Sequence, residues 1–237
     1  MRRVVSIDDS ELRRAQAKWV KLFEDLYDSL KLRGRLAAPF LSVSPVGYDP
    51  AARPSVLLVG QVTKGKWYKN AYLKQKSATE RRTRTRTYLE KESPKNRGAF
   101  WTFARELSKE LTEENESSNG LQNLVWTNLC KLGDMKNDQL CPQIFAPQRD
   151  LAIETLRLEI ETYRPKLVVF VTGDWADCWV IAVVGDPERA PWHKAQTCWW
   201  RESTTKEPAM LWTRRHPRGA TLAMRKAWLR KAKLLTA

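Results

Sequence analysis

Four short apolar runs punctuate this chain, and each leads into a turn signal. Ser55-Val-Leu-Leu-Val-Gly60 ends in glycine, and Leu124–Cys130 carries one Asn. Leu167–Thr172 is followed by Gly173, and Ala209–Thr213 runs into Arg214-Arg215-His216-Pro217-Arg218-Gly219. Continuous apolar runs of this length, without in-out alternation, read as strands buried on both faces of a parallel sheet. Helical spacing fills the gaps. Leu12, Trp19, Phe23, Leu26 and Leu30 recur in residues 8–32, where Asp8, Asp9 and Ser10 offer an N-cap. Phe100, Phe103, Leu107 and Leu111 mark a second helix, ended by the polar stretch 114–120. Leu151, Leu156, Ile160 and Tyr163 mark a third over 148–163, stopped by Pro165. Residues 175–184 read as an apolar helix, and Thr221 caps a last basic one to about Leu235. Residues 197–202 read as a strand or an excursion. The proline-rich segment 36–54 reads as an irregular connection.

Strands alternating with helices predict an α/β fold: a three-layer α/β/α sandwich around a mostly parallel, four-stranded central sheet. No repeat or low-complexity linker divides residues 1–237, so one domain is expected. Its appendages are an N-terminal helix and connection (1–53), an insert (61–98) and a C-terminal helix (219–237).

At 237 residues and 42% hydrophobic, the composition excludes collagen, coiled coil and wholesale disorder. The longest apolar runs, Leu167–Val171 and Trp179–Val184, are far short of a membrane span. No apolar stretch follows Arg2 and Arg3, so a cytoplasmic location is expected. The net charge of +15 is uneven. Residues 61–100 hold 12 basic and 3 acidic side chains, and residues 212–237 hold 8 basic and none acidic. The remainder is nearly neutral. Two segments of one sign point to a polyanion, most simply nucleic acid, with plain solubility as the alternative. Eleven tryptophans are mostly core candidates; Trp67, Trp192, Trp199 and Trp200 lie near basic segments, where stacking on bases is the other option. Cys130, Cys141, Cys178 and Cys198 form no CxxC pair, and His193 and His216 are the only histidines. Neither a metal nor a cofactor is expected, and the thiols read as reduced and mostly buried.

Ligands of parallel sheets bind outside the carboxyl ends of the strands. There the sequence places Gly60 and Gln61, Asn128, Asp174 and His216. The basic insert and the basic C-terminal helix leave from the same edge. Amide, imidazole and cationic groups on one rim suit a nucleotide held by its phosphates.

The order of these motifs resembles the uracil-DNA glycosylase superfamily over roughly residues 54–220. That family has a Gly-Gln motif after its first core strand, a strand carrying a base-reading Asn, a further apolar strand, and a His-Pro motif after the last strand. Here these are Gly60-Gln61, Asn128, Leu167–Gly173 and His216-Pro217. The resemblance implies a monomeric DNA glycosylase that flips out a base and hydrolyses its N-glycosidic bond without metal, leaving an abasic site. It implies that His216, neutral, donates to the base oxygen as the base leaves as an anion. It gives Asn128 the base edge. Asn128 either donates and accepts with uracil or, with its amide reversed, meets a cytosine-like edge. The plain alternatives are a turn histidine before proline and an Asn satisfied by backbone. Gly60 allows close approach, and Gln61 offers main-chain or side-chain contacts to the base.

The sequence also departs from that pattern. An Asp that positions water follows Gly-Gln in uracil-specific members; here it is Val62. Asp174 and Asp134 are the nearest substitutes by position, Asp174 being equally a helix cap. The Pro-Tyr segment that excludes the thymine methyl is replaced by Thr63-Lys64-Gly65-Lys66-Trp67-Tyr68. Thr63, Trp67 and Tyr68 are then base-binding candidates, and Lys64 and Lys66 DNA-binding ones. A pocket without the blocking tyrosine suits a bulkier base, and the closer resemblance is to bacterial defence members that excise hypermodified bases such as glucosylated hydroxymethylcytosine from phage DNA. The alternating Arg and Thr at Arg82, Arg84 and Arg86 suit phosphates, as do Arg214, Arg215 and Arg218. The insert exceeds ordinary loop lengths and is expected to order on DNA. Uracil repair is the alternative substrate. A DNA-binding module without chemistry is the rival class, with Val62 its best support; RNA binding is a third reading.

Overall fold

The computed structural model describes residues 9–29, 36–43, 56–62, 77–111, 121, 124–134, 142–189, 191–205 and 207–237. Along the chain come α1 (Ser10–Ser29), β1 (Leu36–Ala37), β2 (Val56–Val62), α2 (Ala78–Thr87), α3 (Ala99–Leu111), β3 (Leu124–Cys130), β4 (Gly133–Asp134) and α4 (Pro142–Phe145). Then follow α5 (Arg149–Tyr163), β5 (Leu167–Phe170), α6 (Asp177–Val184), β6 (His193–Ala195), β7 (Cys198–Arg201), β8 (Ala209–Thr213) and α7 (Leu222–Thr236).

The fold is α/β with a mostly parallel central sheet. The four apolar runs form the parallel strands, in the order β3-β2-β5-β8. Every residue of β3, β5 and β8 is buried, as continuous hydrophobicity requires. The expected four strands are two short. A hairpin of β6 and β7 adds antiparallel to β8, extending the sheet to six. Its outer strand, His193-Lys194-Ala195, is exposed and mostly polar, so no apolar run announced it. The supposedly irregular 36–54 contributes β1, which pairs with β4 in a separate two-residue ladder.

Helices pack on both faces of the sheet. Leu57, Val59, Val168, Phe170 and Trp212 meet Trp19 and Phe23 of α1, Leu156 of α5, and Trp179 and Val180 of α6. Alternate residues Val56, Leu58, Val169 and Leu211 meet Phe103 and Leu107 of α3 and Trp228 of α7. The cap on α7 is as expected, Thr221 Oγ1 accepting from the Met224 amide.

The described part of the basic insert, from residue 77, folds as α2, a π turn at Tyr88–Glu92 and a 3₁₀ turn at Ser93–Lys95. Ser77 and Glu80 form a capping box. Arg105 of α3 donates to the Ser93 and Asn96 carbonyls, both at 2.9 Å, and fastens the far end. Arg81, inside this basic run, is buried with its guanidinium 5.0 Å from the Phe23 ring centroid.

An ion pair is sealed between β3 and α5. Lys131 Nζ donates to both Glu159 oxygens, at 2.7 and 2.9 Å, and to Thr127 Oγ1. Thr127 in turn donates to Glu159. Both charged side chains are at most 1% exposed. Burial lowers the lysine's pKa, and the Glu159 carboxylate opposes that shift. Removing one partner of such a pair strands the other charge and costs about 3–5 kcal/mol, whereas replacing both by apolar groups is often neutral. Glu159→Gln is therefore expected to lose most of that amount in denaturant unfolding, and Lys131→Met with Glu159→Leu to recover much of it. Equal losses in the single and double variants would contradict this account.

Candidate functional site

Parallel pairing sets Gly60 directly opposite Asn128, at the carboxyl ends of β2 and β3. The pleat turns both toward the face that carries α3. A Cβ on residue 60 would lie 2.5 Å from Asn128 Oδ1 and 3.2 Å from the Phe100 ring. Only glycine admits both neighbours, so Gly60 is a packing requirement at this spot. Trp126, two residues before Asn128, donates its indole N–H to Asn128 Oδ1 at 3.2 Å. Asn128 is buried.

His216 closes the group. It follows β8, extended, at the start of the Pro217–Gly219 turn. Its Nδ1 accepts the Arg218 amide at 3.2 Å. An accepting Nδ1 places the proton of a neutral imidazole on Nε2. The ring lies nearly parallel to Phe100, at 13° with centroids 6.1 Å apart. Thr213 Oγ1 donates to the Phe170 and Arg215 carbonyls, tying this loop to β5. Beneath sits an aromatic cluster in which Trp126 touches Phe40, Tyr88, Phe100 and Trp101.

Gln61 reaches the other way. Its Nε2 donates to the Thr172 carbonyl at 2.8 Å, bracing the loop after β5. The side-chain amide nitrogen is thus committed to structure. Gly173 has φ +74°, and a Cβ there would meet Gln61 Nε2 at 3.0 Å, so this turn also requires glycine.

Asp174 is exposed and makes no cap, because Gly173 occupies that position without a side-chain bond. Asp134 is buried in the small β1–β4 ladder. Val62 packs partly buried against the core at the end of β2. Thr63, Lys64, Lys66, Trp67 and Tyr68 lie outside the described residues, as does Cys141. Cys130 and Cys198 are buried, whereas Cys178 is exposed.

The cations divide. Arg84 pairs with Glu92 at 3.0 Å and Arg82 approaches Asp9 at 3.9 Å, while Arg86 is exposed. Arg214, Arg215 and Arg218 are exposed around His216, Arg214 bonding Asp177 at 2.8 Å. Of the tryptophans considered as base platforms, the three described ones, Trp192, Trp199 and Trp200, each have a cation of the protein over the ring. Trp199 is buried beneath Lys194, Lys231 lies 4.0 Å over Trp200, and Arg201 lies over Trp192.

Three residues were not singled out from the sequence. Phe100 read as one more core position of its helix, yet it stands half-buried in the first turn beside Gly60 and His216. Trp175, 41% exposed beyond Gly173, read as part of an apolar helix. Asp177 bonds Arg214 through Oδ2 while Oδ1 is buried without a partner. A groove of about 1010 Å³ lies at the opposite end of the sheet, among Arg164, Lys166, Arg201 and Glu207. Three helices, α5, α6 and α7, end against it, and basic residues there complement their negative ends.

Among the described residues, no helix is long and apolar enough to cross a membrane, and no group of three or more metal-ligating side chains forms. No protein-family model and no curated protein matches the chain.

Burial raises the Asp177 carboxyl above its ordinary 3.8; Arg214 pulls it down, and Asp174 adds to the rise. A folded-state pKa above the unfolded one means the folded protein holds this proton more tightly. The stability so gained is present below the unfolded pKa and lost as pH rises through the folded one. The stability of Asp177→Asn relative to wild type is therefore expected to improve as pH rises from about 3.8 toward neutrality, read from denaturant midpoints. A pH-independent difference would refute the raised pKa.

Proposed function

We propose that the chain is a DNA glycosylase on a three-layer α/β/α sandwich of the uracil-DNA glycosylase type. It flips out a modified base, as in defence against phage DNA, and hydrolyses its N-glycosidic bond. The observation that carries this is the meeting of Gly60, Asn128, Phe100 and His216 at one carboxyl end of the sheet. A base laid there meets glycine backbone, an amide for its edge, an aromatic ring for its face and an imidazole N–H for its oxygen. Base–aromatic stacking is worth about 1–3 kcal/mol, which helps offset extrusion. Negative charge builds on the base as the bond breaks, and a donor held in place before that moment stabilises it without reorganisation. The Arg218 amide holds the His216 tautomer that does so. Arg214, Arg215 and Arg218 contact phosphates beside the flipped nucleotide, and Arg86 adds a further cation. Water is positioned by Asp174 or Asp177 in this reading, since Val62 offers no polar group.

Val62 also favours a second reading, a DNA-binding module that kept the fold and lost the chemistry. The two separate cleanly. DNA carrying uracil, or plain, hydroxymethylated or glucosylated cytosine, is incubated with protein and treated with alkali. Strand breaks confined to a modified DNA support the proposal, and breaks at uracil return the protein to repair. Tight salt-sensitive binding with no breaks anywhere favours the module.

His216→Ala is expected to slow excision about 10²–10³-fold, the usual effect of losing one such donor, while DNA affinity holds. Cutting at the wild-type rate would remove His216 from the mechanism. Affinity is expected to fall steeply with salt, and Arg218→Ala to reduce the log–log slope by about 0.9 on duplex DNA. A slope near zero for wild type would remove DNA as the partner.

A further inference from the structure

We infer that the outer face of α7 is a second phosphate-binding surface, along which a DNA duplex runs as it leaves the crevice. The inference rests on the reading of that crevice as a DNA site, and it names where the rest of the duplex is held.

Trp228 and Ala232 bury the inner face of α7. At about 3.6 residues per turn, Lys226 and Arg230 fall on the opposite side, one turn apart. Both are exposed. The helix holds five cations and no carboxylate. Their commitments differ. Lys231 lies over Trp200, Lys233 reaches Glu110 at 3.3 Å, and Arg225 is half-buried. Among the described residues no carboxylate pairs with Lys226 or Arg230, nor with Arg215 or Arg218 in the preceding loop. A face that is merely solvated is built otherwise. The other helices of eight residues or more, α1, α2, α3, α5 and α6, each carry carboxylates. Helix α1 sets Lys21 against Asp25 four residues on. Opposite charges at that spacing support a helix, and like charges oppose it. Lys226 and Arg230 are like charges at that spacing. Arg225 and Lys226 also stand near the amino end, where the macrodipole disfavours cations. The pattern costs the helix stability on both counts, and a polyanion laid along the face offsets both.

Position supplies the occupant. Thr221 caps α7 two residues after the Pro217–Gly219 turn. Arg215, Arg218, Lys226 and Arg230 are therefore one succession of exposed cations, and residues 212–237 hold no acidic side chain to interrupt it. Helix α7 packs with α3 on one face of the sheet, the face on which Phe100 meets His216. Lys226 and Arg230 stand roughly 6 and 12 Å along its axis from Leu222. A duplex strand offers a phosphate about every 3.4 Å of its own axis, so two successive turns of the helix find partners. A lipid surface fits less well. Leu222 and Leu234 are the exposed large apolar side chains of α7, at its two ends. About 18 Å of axis separates them, so no continuous apolar stripe is available to enter a bilayer.

Duplex binding measured against salt isolates the face. Wild type is compared with Lys226→Ala plus Arg230→Ala, and with Lys226→Arg plus Arg230→Lys. Both positions are exposed and alanine favours helix, so the fold is retained. The alanine pair is expected to reduce the log–log slope by about 1.8, at about 0.9 per phosphate contact. The charge-conserving pair is expected to keep the wild-type slope. Arg14→Ala plus Lys21→Ala, exposed on α1 behind the sheet, removes the same net charge and is expected to leave the slope unchanged. An equal fall in that control makes the effect one of total charge and overturns the inference. An unchanged slope in the α7 alanine pair, with wild-type binding salt-sensitive, overturns it and leaves the crevice reading standing. Wild-type DNA binding without salt dependence overturns both. Vesicles of phosphatidylserine and phosphatidylcholine test the other polyanion. Vesicle binding that is lost in the alanine pair, while its DNA slope stays that of wild type, gives the face to a membrane and overturns the inference.

Discussion

A lysine ammonium buried beneath the protein surface is the constraint on which the rest of this structure turns. Lys131 leaves β3 and meets Glu159 and Thr127 in a site from which solvent is excluded. Isolated, either charge would oppose folding by several kcal/mol; together they hold only if β3 and α5 keep one register. Gln148 reinforces this, its side chain bonding both the amide and the carbonyl of Leu132. Trp19 then fastens α1 to α5 through Thr155. The end of β3, and so the place of Asn128, is set from behind the sheet.

The pleat of β3 separates two tasks. Thr127 faces α5 and completes the ion pair, while its neighbour Asn128 faces Gly60 and Trp126. A one-residue slip would exchange them, burying an amide beside Glu159 and turning a threonine toward Gly60. The polar pair behind the sheet thus guards the register of the polar group in front of it. Aromatic packing completes the arrangement, because Trp126 belongs to the core and also donates to Asn128. An amide supported by a core side chain in this way is held on rigid elements.

Much of this was legible in the chain. The four parallel strands were, because burial on both faces leaves uninterrupted apolar runs. Strand ends were, because Gly60, Gly173 and His216-Pro217 punctuate them. Gly60, Asn128 and His216 could therefore be placed on one rim from the sequence. The edge hairpin was not, since His193-Lys194-Ala195 is a solvated strand with no apolar face. Helix α2 was obscured by Arg-Thr alternation, a period of two within a helix whose buried positions are Arg81 and Thr85. Its capping box, Ser77 with Glu80, was the overlooked signal. Phe100 and Trp126 were beyond sequence reasoning, for an aromatic on a core-facing helix or strand looks the same whether or not its edge reaches a crevice.

The charge shows the same difference between pattern and placement. A net +15 and a run of arginines suggest one continuous phosphate track. Folding breaks that track. Arg81 is buried over Phe23, Arg84 faces Glu92, Arg201 faces Glu207, and Lys194 and Lys231 lie over tryptophans. Each of these cations is held by the protein itself, and its field is partly cancelled or directed inward. Those around His216 differ, for Arg215 and Arg218 stand exposed on a turn whose backbone orients the imidazole. Binding a phosphate there would steady the loop that carries the donor. Under the proposed excision, anchoring a polyanion and positioning the imidazole would be one event, which the total charge alone does not reveal.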